Sequence, residues 1–275
     1  MQKYHIMTNA HKDAGLVISQ KIRDWLVAAG CSVTSEELRR EEETGAGNFP
    51  ADTDAVIVVG GDGTMIRAAG LVAGSIPLVG VNLGTLGFLE EIEPDHLEEM
   101  LSRLIAHDYE IEKRMMLEGE AEEKLCALND IVIARSGSLR VLHFDIFVND
   151  LLLATYTADG IVASTPTGST AYNLSAGGPI VEPDAQAILL TPICPHNLNS
   201  RAIVLSPDDT VRIRIADTEA DGKILTAASF DGGREIMLSP GASITIRRSK
   251  TDTKLIRLNR ESFLKVLSRK MQAPS

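Results

Sequence analysis

A chain of 275 residues has room for one large domain or two modest ones, each with its own apolar core. Its composition, 44% hydrophobic and 24% charged, fits an ordinary soluble globular protein. Aromatic residues make up only 4% and the net charge is −11, so neither a base-stacking platform nor a basic nucleic-acid face is expected.

The opening residues carry no apolar stretch of signal-peptide length, and no window approaches the ~20 apolar residues of a membrane span. Residues 4–8 read as a strand and residues 14–29 as a helix with helical apolar spacing, ended by Gly30. A second strand at 32–34 leads into an acidic, glycine-containing loop reaching residue 54. Residues 55–59 form a continuous apolar run of the kind found in buried parallel strands. Gly60-Gly61-Asp62-Gly63-Thr64 then turns the chain into a helix over 65–72. Another buried strand at 77–81 and a helix at 94–105 follow. This alternation predicts an α/β N-terminal domain, an open and mostly parallel sheet with helices, over residues 1–110.

Beyond residue 110 the rhythm changes. Residues 115–120, 127–135, 139–148 and 151–157 are strand-like, with a turn at Asn149-Asp150. Residues 203–205, 211–215, 224–230, 235–238 and 243–248 continue the pattern, predicting a mostly-β C-terminal domain over 111–255. Residues 256–275 are expected to pack back on the N-terminal domain, with a closing C-terminal helix over 260–270. Cys31, Cys126 and Cys194 are odd in number and far apart, which suggests neither a disulfide framework nor a CxxC zinc site. The six histidines show no HxH or HExxH spacing. With no secretory signal the expected location is cytoplasmic, and the sequon at Asn173 reads as accidental.

The glycine-rich turn is the most informative short stretch. It follows a buried strand and precedes a helix, where open sheets bind ligands at the carboxyl ends of their strands. Glycines let the backbone approach phosphates, and the helix N-terminus offers free N–H groups. A loop that only bound a pyrophosphate would gain nothing from a carboxylate, so Asp62 points to a further task. It can accept a proton from an attacking hydroxyl, hold Mg²⁺, or both; a structural turn with Asp62 as helix cap is the plain alternative. No GxxxxGK[ST] loop occurs, so the sequence does not support a P-loop NTPase.

Asn129-Asp130 pairs an amide with a carboxylate, a combination suited to vicinal ribose hydroxyls; a surface turn before a strand is the alternative. Residues 165–173 are rich in hydroxyls and small side chains. They suit either the reading of an adenine edge, with Tyr172 as a flat contact, or an ordinary Ser/Thr-rich loop. His196 lies among prolines and fits either a ligand contact or a structural role.

The glycine turn resembles that of NAD kinases, lipid kinases and phosphofructokinases. Further stretches choose among them: Asn82-Leu83-Gly84-Thr85-Leu86-Gly87-Phe88-Leu89, Ala127-Leu128-Asn129-Asp130, Asp159-Gly160 through Thr165-Pro166-Thr167-Gly168-Ser169-Thr170-Ala171-Tyr172-Asn173 to Gly177-Gly178-Pro179, Thr191-Pro192-Ile193-Cys194-Pro195-His196 through Ser200-Arg201, and Ser229-Phe230-Asp231-Gly232. In this order, over roughly residues 55–235, they resemble the NAD kinase family. The resemblance implies phosphoryl transfer from ATP to the 2′-hydroxyl of the adenosine ribose of NAD. It implies Asp62 as the catalytic base, with Mg²⁺ or another divalent cation. Gly61, Asp62, Gly63, Thr64, Phe88, Asn129, Asp130, Asp159, Thr170, Ala171, Tyr172, Ser175 and His196 are its nucleotide contacts. Asp62 is a further option for the metal, to which no other side chain is assigned. The implied partners are NAD, ATP and further copies of the chain, as a homodimer or homotetramer, with neither nucleic acid nor membrane. Asp130 stands where many members carry Glu, and Gly233 where many carry Gln; the match around Lys12 is too short to assign it a role. A lipid kinase should show an apolar or basic membrane-facing patch, and a mere dinucleotide sensor should lack Asp62.

Overall fold

In the computed structural model the chain opens on β1 (Lys3–Thr8), buried at five of six positions, and β2 (Ser32–Glu37) pairs parallel to it. Residues 1–38, 49–84, 87–89, 91–136, 141–197, 200–216, 225–259 and 262–272 are described; most of the expected acidic loop lies outside them. Between the two strands runs α1 (Val17–Ala28), which buries Ile22 and Leu26 one turn apart. The helix expected from residue 14 starts later because Leu16 takes a left-handed φ of 57°. Asp13 then accepts the N–H groups of Ile18 and Ser19, both at 2.9 Å, and supplies the missing partners of the first turn.

β3 (Ala55–Gly60) is buried at every position, as a strand covered on both faces must be. α2 (Asp62–Val72) begins at Asp62, earlier than the sequence suggested, because Gly61 is extended and acts as its N-cap. β4 (Leu78–Asn82) pairs parallel to β3, and α3 (Leu97–Ile105) buries Leu97, Leu101 and Leu104 along one stripe. β5 (Glu110–Arg114) closes this stretch.

The next twelve strands form two sheets. They are β6 (Leu117–Glu120), β7 (Lys124–Ala127), β8 (Asp130–Ser136), β9 (Leu142–Val148), β10 (Leu151–Ala158) and β11 (Gly160–Ser164), then β12 (Ile188–Ile193), β13 (Ile203–Leu205), β14 (Val211–Ile215), β15 (Leu225–Phe230), β16 (Glu235–Leu238) and β17 (Ser243–Arg248). One sheet has the order β10-β9-β14-β17-β6-β7, the other β13-β12-β11-β8-β15-β16, with antiparallel pairing throughout. Leu142, Phe144 and Ile146 alternate inward along β9 and share one apolar cluster with Ile131, Ile133 and Ile161 of the other sheet. Asn149 and Asp150 both take left-handed φ, 48° and 66°, and make the tight turn between β9 and β10. α4 (Tyr172–Ser175) is a single short turn between β11 and β12.

The chain then returns as β18 (Thr253–Arg257), parallel to β4 in the first sheet, whose order is β2-β1-β3-β4-β18-β5, and ends in α5 (Phe263–Gln272). Two compact units result, Met1–Lys113 with Thr253–Ser275, and Arg114–Asp252. The first is a mostly parallel α/β unit and the second a β unit. Sequence periodicity passes over β5, β11, β12 and β18. β11 is buried at all five positions and has no alternation to read, β12 contains Pro192, and β18 mixes charge with apolar residues.

Gly119 of β6 marks how closely the sheets of the second unit approach, since a Cβ there would stand 2.8 Å from the Phe230 ring. Gly119→Ala should therefore lower stability by about 1–3 kcal/mol. Thermal unfolding reads this directly, and an unchanged melting temperature would contradict the close packing.

Candidate active site

In the first unit, the carboxyl ends of β1, β3 and β4 each lead into a polar turn. Asn9 follows β1, Gly61 to Thr64 follow β3, and Asn82 to Gly84 end β4. Thr64 is buried, and its Oγ1 accepts the Gly61 N–H at 3.4 Å and the Asn9 amide at 3.3 Å. Thr64 thus braces the turn from inside. Its crowding also fixes Gly60 as glycine, because a Cβ there would lie 2.3 Å from Thr64 Oγ1. Gly63 differs: it is exposed, and a Cβ on it would meet nothing within 4 Å. The protein itself places no demand on that position. The Lys12 ammonium reaches the same end of the sheet, 3.3 Å from where a Cβ on Gly84 would be.

Asp62, at the first position of α2, does not cap its own helix. Its Oδ1 accepts the N–H groups of Phe88 and Leu89, each at 3.0 Å, and its Oδ2 shares the Phe88 N–H at 3.0 Å. The clamp fixes the side chain and leaves acceptor capacity on Oδ2. The clamping backbone is itself held. Arg257 of β18, largely buried, donates to Glu91 at 2.8 Å and to Glu112, and points Nη1 and Nη2 at the carbonyls of Leu89 and Phe88, both at 3.4 Å. Glu91 in turn accepts the Asn259 N–H at 3.0 Å. The Phe88 ring packs on Phe263 of α5, centroids 5.5 Å apart, under the Lys270 ammonium 4.6 Å from the ring centre. Phe88 was expected as a nucleotide contact; its backbone N–H serves Asp62, while its ring is engaged by α5. Thr85 and Leu86 of the same motif lie outside the described residues.

In the second unit, Asn129 and Asp130 lie where β7 ends and β8 begins. Asp231, after β15, is half-buried and accepts three consecutive backbone N–H groups: Leu128 at 2.7 Å, Asn129 at 2.7 Å and Asp130 at 3.1 Å. Its own N–H donates back to the Asp130 carbonyl at 3.0 Å. From the other side, Thr165 Oγ1 donates to the Leu128 carbonyl at 2.6 Å and the Thr165 N–H to the Asn129 carbonyl at 2.8 Å. Gly168 passes so near that a Cβ would lie 2.1 Å from that same carbonyl.

The hydroxyl-rich run is therefore no ordinary solvated loop. Thr165, Thr167 and Ser169 are buried. Asn173 is buried too, its amide donating to the carbonyls of Ser169 and Pro179 and its Oδ1 accepting the Thr191 hydroxyl at 2.7 Å. Thr170 Oγ1 turns back to the Thr167 carbonyl at 3.5 Å, and the Ala171 N–H bonds to Gly168. Tyr172, 45% exposed, and Ser175 lie exposed on α4. Asp159 is forked by Arg135 of β8, both contacts 3.2 Å. His196 is exposed, with its backbone N–H held by the Thr157 carbonyl at 2.8 Å. Sequence reading gave no role to Asp231, although it lies in the Ser229-Phe230-Asp231-Gly232 stretch, and none to Arg257. Asp-Gly after a strand reads as a plain turn, and an arginine closing a strand reads as surface.

Asp130 is only 5% exposed, and its environment is unusual. Burial, and then the charge of Asp231, push its carboxyl up to about 7, against the opposing Tyr172 N–H. Asp231 is itself pushed up to about 6 by burial, opposed by the three N–H groups it accepts. A carboxyl whose folded-state pKa is raised contributes stability that is complete at acid pH and is lost as pH rises, for Asp130 through about 7. Asp130→Asn should thus stabilise the protein at pH 8, by a free energy on the order of 4 kcal/mol, and the gain should fade toward pH 4. Melting curves at the two pH values check this; an equal difference at both would contradict the titration.

The chain matches two family models, "ATP-NAD kinase N-terminal domain" over residues 5–109 and "ATP-NAD kinase C-terminal domain" over residues 128–258. An NAD kinase from Lachnoclostridium phytofermentans is 42% identical over 281 residues, covering 98% of this chain and 99% of the relative. One from Caldanaerobacter subterraneus is 39% identical over 284 residues, covering 98% and 99%. Two solved structures share the fold. A yeast NADH kinase complexed with NADH has a TM-score of 0.88 at 24% identity, covering 100% of this chain and 88% of that one. An NAD kinase from Archaeoglobus fulgidus in complex with ATP has a TM-score of 0.81 at 22% identity, covering 99% and 100%.

Proposed function

Since the chain belongs to the NAD kinase family, we propose that it transfers the terminal phosphoryl group of ATP to the 2′-hydroxyl of the adenosine ribose of NAD, forming NADP and ADP. The observation that carries the mechanism is the Asp62 carboxylate, fixed beside the glycine turn by two backbone N–H groups with one oxygen only part-engaged.

Phosphoryl transfer passes through a loose transition state, so an enzyme contributes mainly position and charge neutralisation. Asp62 orients the 2′-hydroxyl and takes its proton as the new P–O bond forms. An ordinary carboxylate is a weak base, but the hydroxyl becomes acidic late in the transfer, when that base is in place. The free N–H groups at the start of α2 face phosphate oxygens, and the bare Cα of Gly63 allows the close approach. Asn129 and Asp130 bind the vicinal ribose hydroxyls, with Asp130 accepting while ionised. Tyr172 lies against a base, and Asp159, Thr170, Ala171, Ser175 and His196 complete the dinucleotide contacts.

A divalent cation belongs to the same proposal. Among the described residues no group of three His, Cys, Asp or Glu could cage a metal. Mg²⁺ is commonly bound through one or two carboxylates together with substrate phosphates, and Asp62 is the side chain that would take part in holding it. Bound there, it would neutralise charge on the phosphates of ATP. Self-association into a homodimer or homotetramer is part of the reading and is measured by sedimentation.

Asp62→Asn is a sharp test because Asn Oδ1 can keep both clamping hydrogen bonds while the proton-accepting oxygen is lost. The variant should bind NAD nearly as well as wild type and turn over about 10²–10⁴-fold more slowly. NADP formation followed beside NAD binding measures both. Undiminished turnover would remove Asp62 from the chemistry.

A further inference from the structure

We infer that Asp231 is a positioning residue for the ribose-binding pair, its carboxylate occupying a nest of three successive backbone N–H groups that sets the main chain from which the Asn129 and Asp130 side chains leave. This rests on the reaction proposed above.

Consecutive N–H groups in a strand point to opposite sides, so three of them cannot converge on one carboxylate while the strand stays regular. Here they converge, and the strand is broken at that place, between the end of β7 at Ala127 and the start of β8 at Asp130. Successive N–H groups of this kind make an anion-binding concavity, and the anion in this one comes from the chain itself. The turn that delivers it is built for the purpose. Asp231 takes a left-handed φ of 53°, which Asp and Asn tolerate better than most residues, and Gly232 follows at 66°. Setting a second carboxyl beside the buried Asp130 lowers stability, so a turn with only a structural task would do better with a neutral cap. The retained charge fits a second task, setting how readily Asp130 becomes the acceptor that ribose hydroxyls need.

The groups acting on Asp130 are the Asp231 carboxylate and the Tyr172 N–H. Those acting on Asp231 are the N–H groups of Leu128, Asn129 and Asp130, and its charge also reaches the Cys126 thiol from β7. Asp231→Asn keeps the size of the side chain and its tolerance of the left-handed turn. It removes the charge and turns an NH₂ group toward donors. A purely structural role predicts a lower melting temperature and less active protein, with unchanged KM values and pH profile.

The experiment measures NADP formation by wild type, Asp231→Asn and Gly232→Ala as a function of NAD, ATP and pH. Gly232→Ala strains the same turn but keeps the carboxylate, so it reads positioning even if the first variant does not fold. The expected result for Asp231→Asn is a KM for NAD raised about tenfold or more, the loss of roughly one charge-assisted hydrogen bond. KM for ATP should stay within about twofold, and the acid limb of kcat/KM for NAD should move to lower pH by about one unit as the repelling charge is removed. Gly232→Ala should raise KM for NAD without moving that limb. Unchanged KM for NAD in both variants, beside an active wild type, would overturn the inference. Wild type that forms no NADP would overturn the proposed reaction instead.

Discussion

Carboxylates gathered onto backbone N–H groups are the interaction on which the candidate site depends. It recurs in both units. In the first, Asp62 draws in Phe88 and Leu89; in the second, Asp231 draws in Leu128, Asn129 and Asp130. A peptide N–H is a donor of fixed direction, set by the fold rather than by a rotamer, so a carboxylate held this way has little freedom left. The two cases differ in purpose. Asp62 is the group presented, and the backbone presents it. Asp231 is the holder, and what it presents is the backbone carrying Asn129 and Asp130.

Each clamp has a support drawn from far along the chain. Phe88 and Leu89 are braced by Arg257 on the returning strand β18 and by Phe263 and Lys270 on α5, so the last residues of the chain maintain the geometry of its first unit. Asn129 is gripped by Thr165 and Gly168, which makes the hydroxyl-rich run a structural collar. The arrangement has a thermodynamic consequence. Asp130 lies buried beside Asp231 and titrates near neutrality, so the group suited to holding hydroxyls is also one that weakens the apo fold when ionised. Binding sites are where such local conflicts are expected, because the ligand supplies the missing hydrogen bonds.

Much of this was legible in the sequence, and the exceptions have physical reasons. The buried run ending in Gly60, the glycine turn and the change of rhythm after residue 110 revealed a parallel α/β unit followed by a β unit. The Asn149-Asp150 hairpin turn could be read from residue type alone. What stayed hidden depends on contacts between distant residues. β11 and β18 become strands through their neighbours in the sheet, not through alternation. Asp231 looks like any Asp-Gly turn until the N–H groups of residues a hundred positions earlier are brought to it. The Phe88 motif could be picked out by resemblance, but not that its ring would face α5 while its N–H served Asp62.

The most direct test of the whole account follows the phosphorus atom. ATP labelled at the γ-phosphate is incubated with the protein, Mg²⁺ and either NAD or 2′-deoxyadenosine-containing NAD, and the products are separated. The account predicts label in NADP, located on the 2′-oxygen of the adenosine ribose, and none transferred to the deoxy analogue. Label appearing on the deoxy analogue, or only as inorganic phosphate, would contradict it.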